Sequence, residues 1–209
     1  MPNWCNNVLE LEHEDPAMIA RAKAAFADGR LLDEFVPVPK DLHIVAGRVG
    51  ADDNPDQIAL EAQEKANREK YGYATWYDYC VNEWGTKWDV GGSDGYVDED
   101  GANKLTVSFD SAWAPPCNAM EKLMDQGFKV TLYYYESGMA FCGVFDENGD
   151  DYYELNSMSA DEVENTIPSE LDIRFCISET IREYEEEEKD EVQLWYEDGV
   201  NKLEQKEKS

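Results

Sequence analysis

The chain has 209 residues, an ordinary apolar fraction of 42%, and six Trp, twelve Tyr and seven Phe to fill a core, which excludes wholesale disorder. Against 18 Lys and Arg stand 47 Asp and Glu, a formal net charge of −29. That balance repels phosphate backbones and anionic lipid, arguing against direct nucleic-acid or membrane-surface binding, and attracts basic protein surfaces, including those that hold DNA or RNA.

The N-terminal Met1-Pro2-Asn3-Trp4-Cys5-Asn6-Asn7 has neither a basic region nor an apolar one, so it does not read as a signal peptide, and the expected location is cytoplasmic. Residues 4–12 read as a strand, with Val8, Leu9 and Leu11 apolar and Glu10 and Glu12 turned outward. Asp15-Pro16 opens a helix as an N-cap carboxylate followed by Pro; Met18, Ile19, Ala22, Ala25 and Phe26 form its apolar stripe, and Gly29 ends it. The segment Phe35-Val36-Pro37-Val38-Pro39 is too rich in Pro for a regular element and reads as an extended connector. A polar loop at 50–56 leads into a helix from Pro55 to Tyr71 and a second from Thr75 to Asn82, a helical insertion spanning about residues 50–83.

Residues 84–90 read as a strand whose period of two places Trp84, Thr86 and Trp88 on one face. A Gly- and Asp-rich turn follows, then a strand with Leu105, Val107 and Phe109 inward. Pro115-Pro116 opens another helix, with Met120, Leu123 and Met124 as its stripe and Gly127 as its stop. Strands at 128–136, 139–146 and 151–155 follow, the last two joined by a turn containing Asn148-Gly149.

Without the insertion this order is βαββαβ plus a hairpin. It predicts an α+β, ferredoxin-like antiparallel sheet over residues 1–156, in which the strand at 4–12 lies centrally, between the third and fourth. Residues 157–209 read as a separate acidic helical segment; from 146 to the end there are 22 acids against six bases.

Four blocks carry a family resemblance. They are Met1 to Asn7; Trp84-Gly85-Thr86-Lys87-Trp88-Asp89; Phe109-Asp110-Ser111-Ala112-Trp113-Ala114-Pro115-Pro116; and Tyr135-Glu136-Ser137-Gly138 with Phe141 and Gly143. In this order and spacing the chain resembles, over about residues 1–155, the YubB ferredoxin-like family of phage- and plasmid-encoded proteins. Glu83 stands where Asn is expected in that pattern, and the acidic C-terminal segment is not part of it. The resemblance implies the fold and a mobile-element origin, and it assigns no catalytic residue.

The five cysteines, Cys5, Cys80, Cys117, Cys142 and Cys176, are scattered and read as free thiols; no cofactor or metal site is expected. His13 and His43 have no nucleophile motif beside them and read as surface or packing residues. The acidic turns 94–101 and 146–154 lack the spacing of a calcium loop.

Two surfaces remain as candidates. Asn3, Trp4, Asn6, Trp84, Lys87, Trp88, Asp110 and Trp113 can line a small-ligand or peptide pocket, or the indoles can simply seal one end of the sheet. The second reading makes Trp84 and Trp88 buried and structural. The run Glu183, Glu185, Glu186, Glu187, Glu188, Asp190 and Glu191 is either a solvated face or a docking surface, and Ile181, Tyr184, Val192, Trp195 and Tyr196 are interleaved with it or follow it. Its charge density can imitate duplex DNA, which carries one charge per ~1.7 Å of axis. The functional expectation is a non-enzymatic accessory protein of a mobile genetic element that binds a basic surface on a host protein, with acidic nucleic-acid mimicry against host defence as one form that binding can take. A small-ligand or peptide-binding module using the Trp-rich end is the alternative.

Overall fold

The structure is a computed structural model and describes residues 3–190. The chain divides between Tyr152 and Tyr153 into two compact units.

In the first unit, β1 (Trp4–Glu12) is followed by α1 (Pro16–Ala27), whose first turn is capped by Asp15 accepting the Ala17 N–H. A short α2 (Leu31–Phe35) precedes the Pro-rich connector, and a 3-10 turn at Lys40–Leu42 follows it. The insertion consists of α3 (Pro55–Tyr71) and α4 (Trp76–Glu83). Then come β2 (Gly95–Asp100), β3 (Lys104–Ala112), α5 (Cys117–Met124), β4 (Lys129–Glu136), β5 (Phe141–Asp146) and β6 (Gly149–Glu154), within which the boundary between the units falls.

The sheet order is β2-β3-β1-β4-β5-β6. β1 is central and pairs antiparallel with β3 and β4, so that Asn6 lies between Asp110 and Tyr135. Alternation along β1 sends Cys5, Asn7, Leu9 and Leu11 into the core shared with Ile19 and Phe26 of α1, Leu31 and Leu32 of α2, and Met120 and Leu123 of α5. Trp4 and Asn6 therefore belong to the other face.

Two expectations are corrected. Residues 84–90 are not a strand: Gly85 adopts φ +89, where a Cβ would also approach the Pro115 carbonyl oxygen at 3.1 Å, and the extended run breaks there. The segment instead crosses the end of the sheet, fixed at three points. Trp84 donates its indole N–H to the Val36 carbonyl (2.8 Å), the Thr86 hydroxyl bonds to both backbone groups of Ala112, and Asp89 accepts from α2. The second strand lies in the stretch that reads as a turn. β2 has little to bury, and its pairing with β3, bulged between Val97 and Glu99, makes it a strand; its charged outer edge resists pairing with other chains. The ferredoxin-like order survives because this strand takes the place of the expected one.

The second unit contains α6 (Ala160–Thr166), α7 (Ser169–Phe175) and a helix over residues 177–190. Ser159 and Glu162 form a capping box on α6, and Val163, Leu171 and Ile177 are buried. Val192, Trp195 and Tyr196 lie outside the described residues. Among the described residues no helix is long and apolar enough to cross a membrane.

Cys5, Cys80 and Cys142 are buried, Cys117 is half-buried and Cys176 is exposed. Burial pushes the Cys5 and Cys80 thiols up to about 12 and raises Cys117 as well, so these sulfurs stay protonated and shielded. Alkylation of the native protein followed by peptide mass spectrometry is expected to label Cys176 rapidly and the other four only on unfolding. A second thiol reacting as fast as Cys176 would show that the sheet's end opens to solvent.

Candidate functional site

β1 begins, β3 ends and β2 starts at one end of the sheet, and the 84–94 connector passes over it. Between them lies a cleft of about 570 Å³ lined by Trp4, Trp88, Asp89, Asp94, Tyr96, Asp110 and neighbouring small residues. The Trp4 and Trp88 rings are 5.9 Å apart and tilted by 37°. Trp88 is 40% exposed and Trp4 46%, so both indoles present surface to solvent, as does Tyr96 at the mouth. Trp84, by contrast, is 4% exposed and belongs to the core. The expectation that both Trp84 and Trp88 are buried thus holds for Trp84 alone, because the break at Gly85 sends the two side chains into different environments.

The carboxylates in this cleft differ in what they hold. Asp110 accepts from the Asn6 amide across the strand pair at 2.7 Å, which fixes its orientation. Asp94 accepts from the Ser93 hydroxyl at 3.2 Å. Asp89 accepts from the backbone N–H groups of Leu32, Asp33 and Val90; desolvation nevertheless holds its carboxyl above the ordinary range, those three donors opposing it. The eleven lining residues include three aspartates and no Lys, Arg or His.

Trp88 and Asp89 are shared with a second, smaller cleft of about 300 Å³, whose other walls include His43, Trp76, Cys80, Trp84 and Lys87. The Lys87 ammonium lies 4.6 Å from the centre of a Trp88 ring and 5.5 Å from that of Tyr77, a cation–π arrangement. Here a thiol and an imidazole share a cavity. The Cys80 thiol is driven upward by burial and by the Asp89 and Asp33 charges, the opposite of an activated nucleophile. The other histidine, His13, accepts the Asp15 N–H through Nδ1 and lies at the opposite end of β1. Among the described residues no group of three or more metal-ligating side chains is placed to hold an ion.

Of the sequence candidates, Trp4, Trp88 and Asp110 therefore meet in one cleft with Asn6 behind Asp110, while Trp84 and Lys87 line the other. Asn3 and Trp113 pair through the backbone beyond the ends of β1 and β3 and line neither cleft. Tyr96 carries no sequence signal beyond being a lone Tyr in a Gly- and Asp-rich stretch, while Asp94 enters the sequence reading only in an acidic turn and Asp89 only as the end of the Trp84–Asp89 block. In the acidic run, Glu183, Glu186, Glu187, Glu188 and Asp190 are exposed. Glu185 is half-buried and accepts the Ala160 N–H at the start of α6 (3.1 Å). Glu191 lies outside the described residues.

The sheet order and the helices packed on it define a ferredoxin-like α+β domain. The model of the family described as the ferredoxin-like domain in Api92-like protein matches residues 83–196, over half of the chain, and the protein belongs to that family. The match starts at Glu83, the last residue of α4, and extends to residue 196, so it takes in the acidic segment beyond 155 that the pattern read from sequence leaves out. Among solved structures the chain is similar to the crystal structure of the protein Api92 from Yersinia pseudotuberculosis, at 13% identity and a TM-score of 0.39, over 73% of this chain and 98% of that one. No curated protein matches.

Proposed function

We propose that this chain is a non-enzymatic binding protein whose partner presents a basic surface. The observation that carries this reading is the cleft at the end of the sheet: exposed indoles and three carboxylates with no base among the lining residues. A concave aromatic site of that charge complements a cationic side chain, and the net charge of −29 draws a basic partner toward it at long range. This combines the peptide-binding alternative with the basic-surface expectation. In keeping with the resemblance to phage- and plasmid-encoded proteins, the partner proposed is a host cytoplasmic protein.

A second reading, mimicry of nucleic acid by the helix over 177–190, is favoured by its own observation. Glu186, Glu187, Glu188 and Asp190 are exposed, and Arg182 in the preceding turn is engaged by Asp161 and Glu164. A protein that such a helix imitates DNA for would be a DNA-handling or defence protein of the host.

Reversing Glu186, Glu187 and Glu188 to Lys, with Glu185 kept because it caps α6, tests the helix. If it docks, capture of DNA-binding host proteins on the immobilised chain weakens by about tenfold or more, falls steeply with salt, and is competed by duplex DNA. Capture unchanged by the reversal makes the run a solvated face. If no basic protein is held at low salt by the wild type, the basic-partner reading fails as a whole.

A further inference from the structure

We infer that the cleft between Trp4, Trp88 and Tyr96 is a receptor for one guanidinium group, the anchoring arginine of the partner, an inference that rests on the basic-partner reading above. Of the three carboxylates, Asp89 is engaged by three backbone N–H groups, which leaves Asp94 and Asp110 to meet a ligand. Asp110 is the better placed of the two. The amide of Asn6 donates to one oxygen at 2.7 Å and so favours one orientation of the side chain, while a carboxylate offers about four lone-pair sites, so most of its capacity remains. A fork of two N–H donors matches that geometry; a single ammonium uses only part of it.

The aromatic wall points the same way. Two indoles 5.9 Å apart, tilted by 37° and each nearly half exposed, offer flat surface to a flat cation. A guanidinium is planar and weakly hydrated, so it stacks on such a face at small desolvation cost, whereas an ammonium sheds a tighter shell. The Lys87 ammonium, 4.6 Å from a Trp88 ring centre, lines the neighbouring cleft and not this one, so Trp4 and the Trp88 surface that Lys87 does not cover are what remain for the ligand. The volume of about 570 Å³ exceeds that of one arginine side chain and leaves room for the residues flanking it in a peptide. The ligand class is thus an arginine within a polypeptide.

The test is a calorimetric and Trp-fluorescence titration of the full chain with three blocked peptides identical but for a central Arg, Lys or citrulline. The Arg peptide is expected to bind about tenfold more tightly than the Lys peptide, the difference one bidentate contact supplies, and citrulline to show no binding. Asp110→Asn and Trp88→Ala are each expected to weaken the Arg peptide by about tenfold, with unchanged circular dichroism confirming the fold. Asp110→Asn is nearly isosteric, so it remains informative should Trp88→Ala disturb the connector. Equal binding of the Arg and Lys peptides overturns the guanidinium assignment and leaves the basic-partner reading standing. Arg binding insensitive to both substitutions moves the site elsewhere and overturns the inference. Absence of binding by either cationic peptide overturns it too, and the capture experiment above then decides the basic-partner reading independently.

Discussion

Trp84→Ala is expected to destabilise the protein by about 3–5 kcal/mol, the cost of emptying a large aromatic site in a packed core. Trp84 is 4% exposed, lies in the cluster that joins α2, α5 and the central strands, and donates its indole N–H to the Val36 carbonyl at 2.8 Å. Truncation therefore leaves a cavity and an unpaired carbonyl together. Trp84→Phe retains most of the packing and separates the two losses, with the hydrogen bond contributing about 1 kcal/mol. Trp88→Ala, four residues away in the same motif, is expected to cost less than about 1 kcal/mol, as for a surface change, and to act on binding instead. Urea denaturation of the three variants against wild type measures the contrast. Equal destabilisation by Trp84→Ala and Trp88→Ala would make Trp88 a core residue and remove the aromatic wall from the binding site.

The same two residues show what sequence alone could and could not decide. A run of Trp84, Thr86 and Trp88 has the period of a strand, and periodicity assigns all three to one face. A single left-handed residue at Gly85 cancels that inference, since it reverses the chain locally without altering the pattern of side chains. β2 escaped for the opposite reason. Its residues from Gly95 to Asp100 carry no apolar alternation, and its status as a strand comes from hydrogen bonds to β3, information held in another part of the chain. The five-residue α2 sits just ahead of a Pro-rich stretch and is too short to show a helical period. Where elements were long and bounded by caps, as for β1, α1 and α3, the sequence was sufficient.

The site was legible in part. Trp4, Asn6, Trp88 and Asp110 are unusual residues in recognisable blocks, and the pairing of β1 with β3 brings Asn6 onto Asp110. Tyr96 reaches the same cleft through a strand that the pattern does not reveal, and Asp94 through the turn just before that strand. The division of labour among carboxylates is a matter of distances, and no composition encodes it.

Asp89→Ala is expected to cost about 2–4 kcal/mol, because it removes the acceptor for the N–H groups of Leu32 and Asp33, and each buried donor left unpaired costs about 1–3 kcal/mol. Those two bonds, at 2.7 and 2.9 Å, cap the start of α2 from a residue more than fifty positions later in the chain, and they hold the connector that carries Lys87 and Trp88. Loss of the tether is therefore expected to weaken the binding of an arginine peptide as well as lower stability. Asp89→Asn separates charge from shape, and its effect depends on pH in a defined direction. Burial keeps the Asp89 carboxyl above its ordinary range in the fold, so the folded state holds the proton more tightly than the unfolded one. A group of that kind contributes its full stability below its unfolded pKa and loses it as pH rises through the folded value. The stability advantage of wild type over Asp89→Asn should consequently be largest in acid and shrink as pH climbs past the ordinary carboxylate range. Comparing the two proteins cancels the repulsion among the remaining acids, which lowers both curves alike as pH rises. An advantage that grows with pH would mean that the three backbone donors outweigh desolvation, so that the ionised carboxylate, rather than the neutral acid, is the form the fold prefers at this junction.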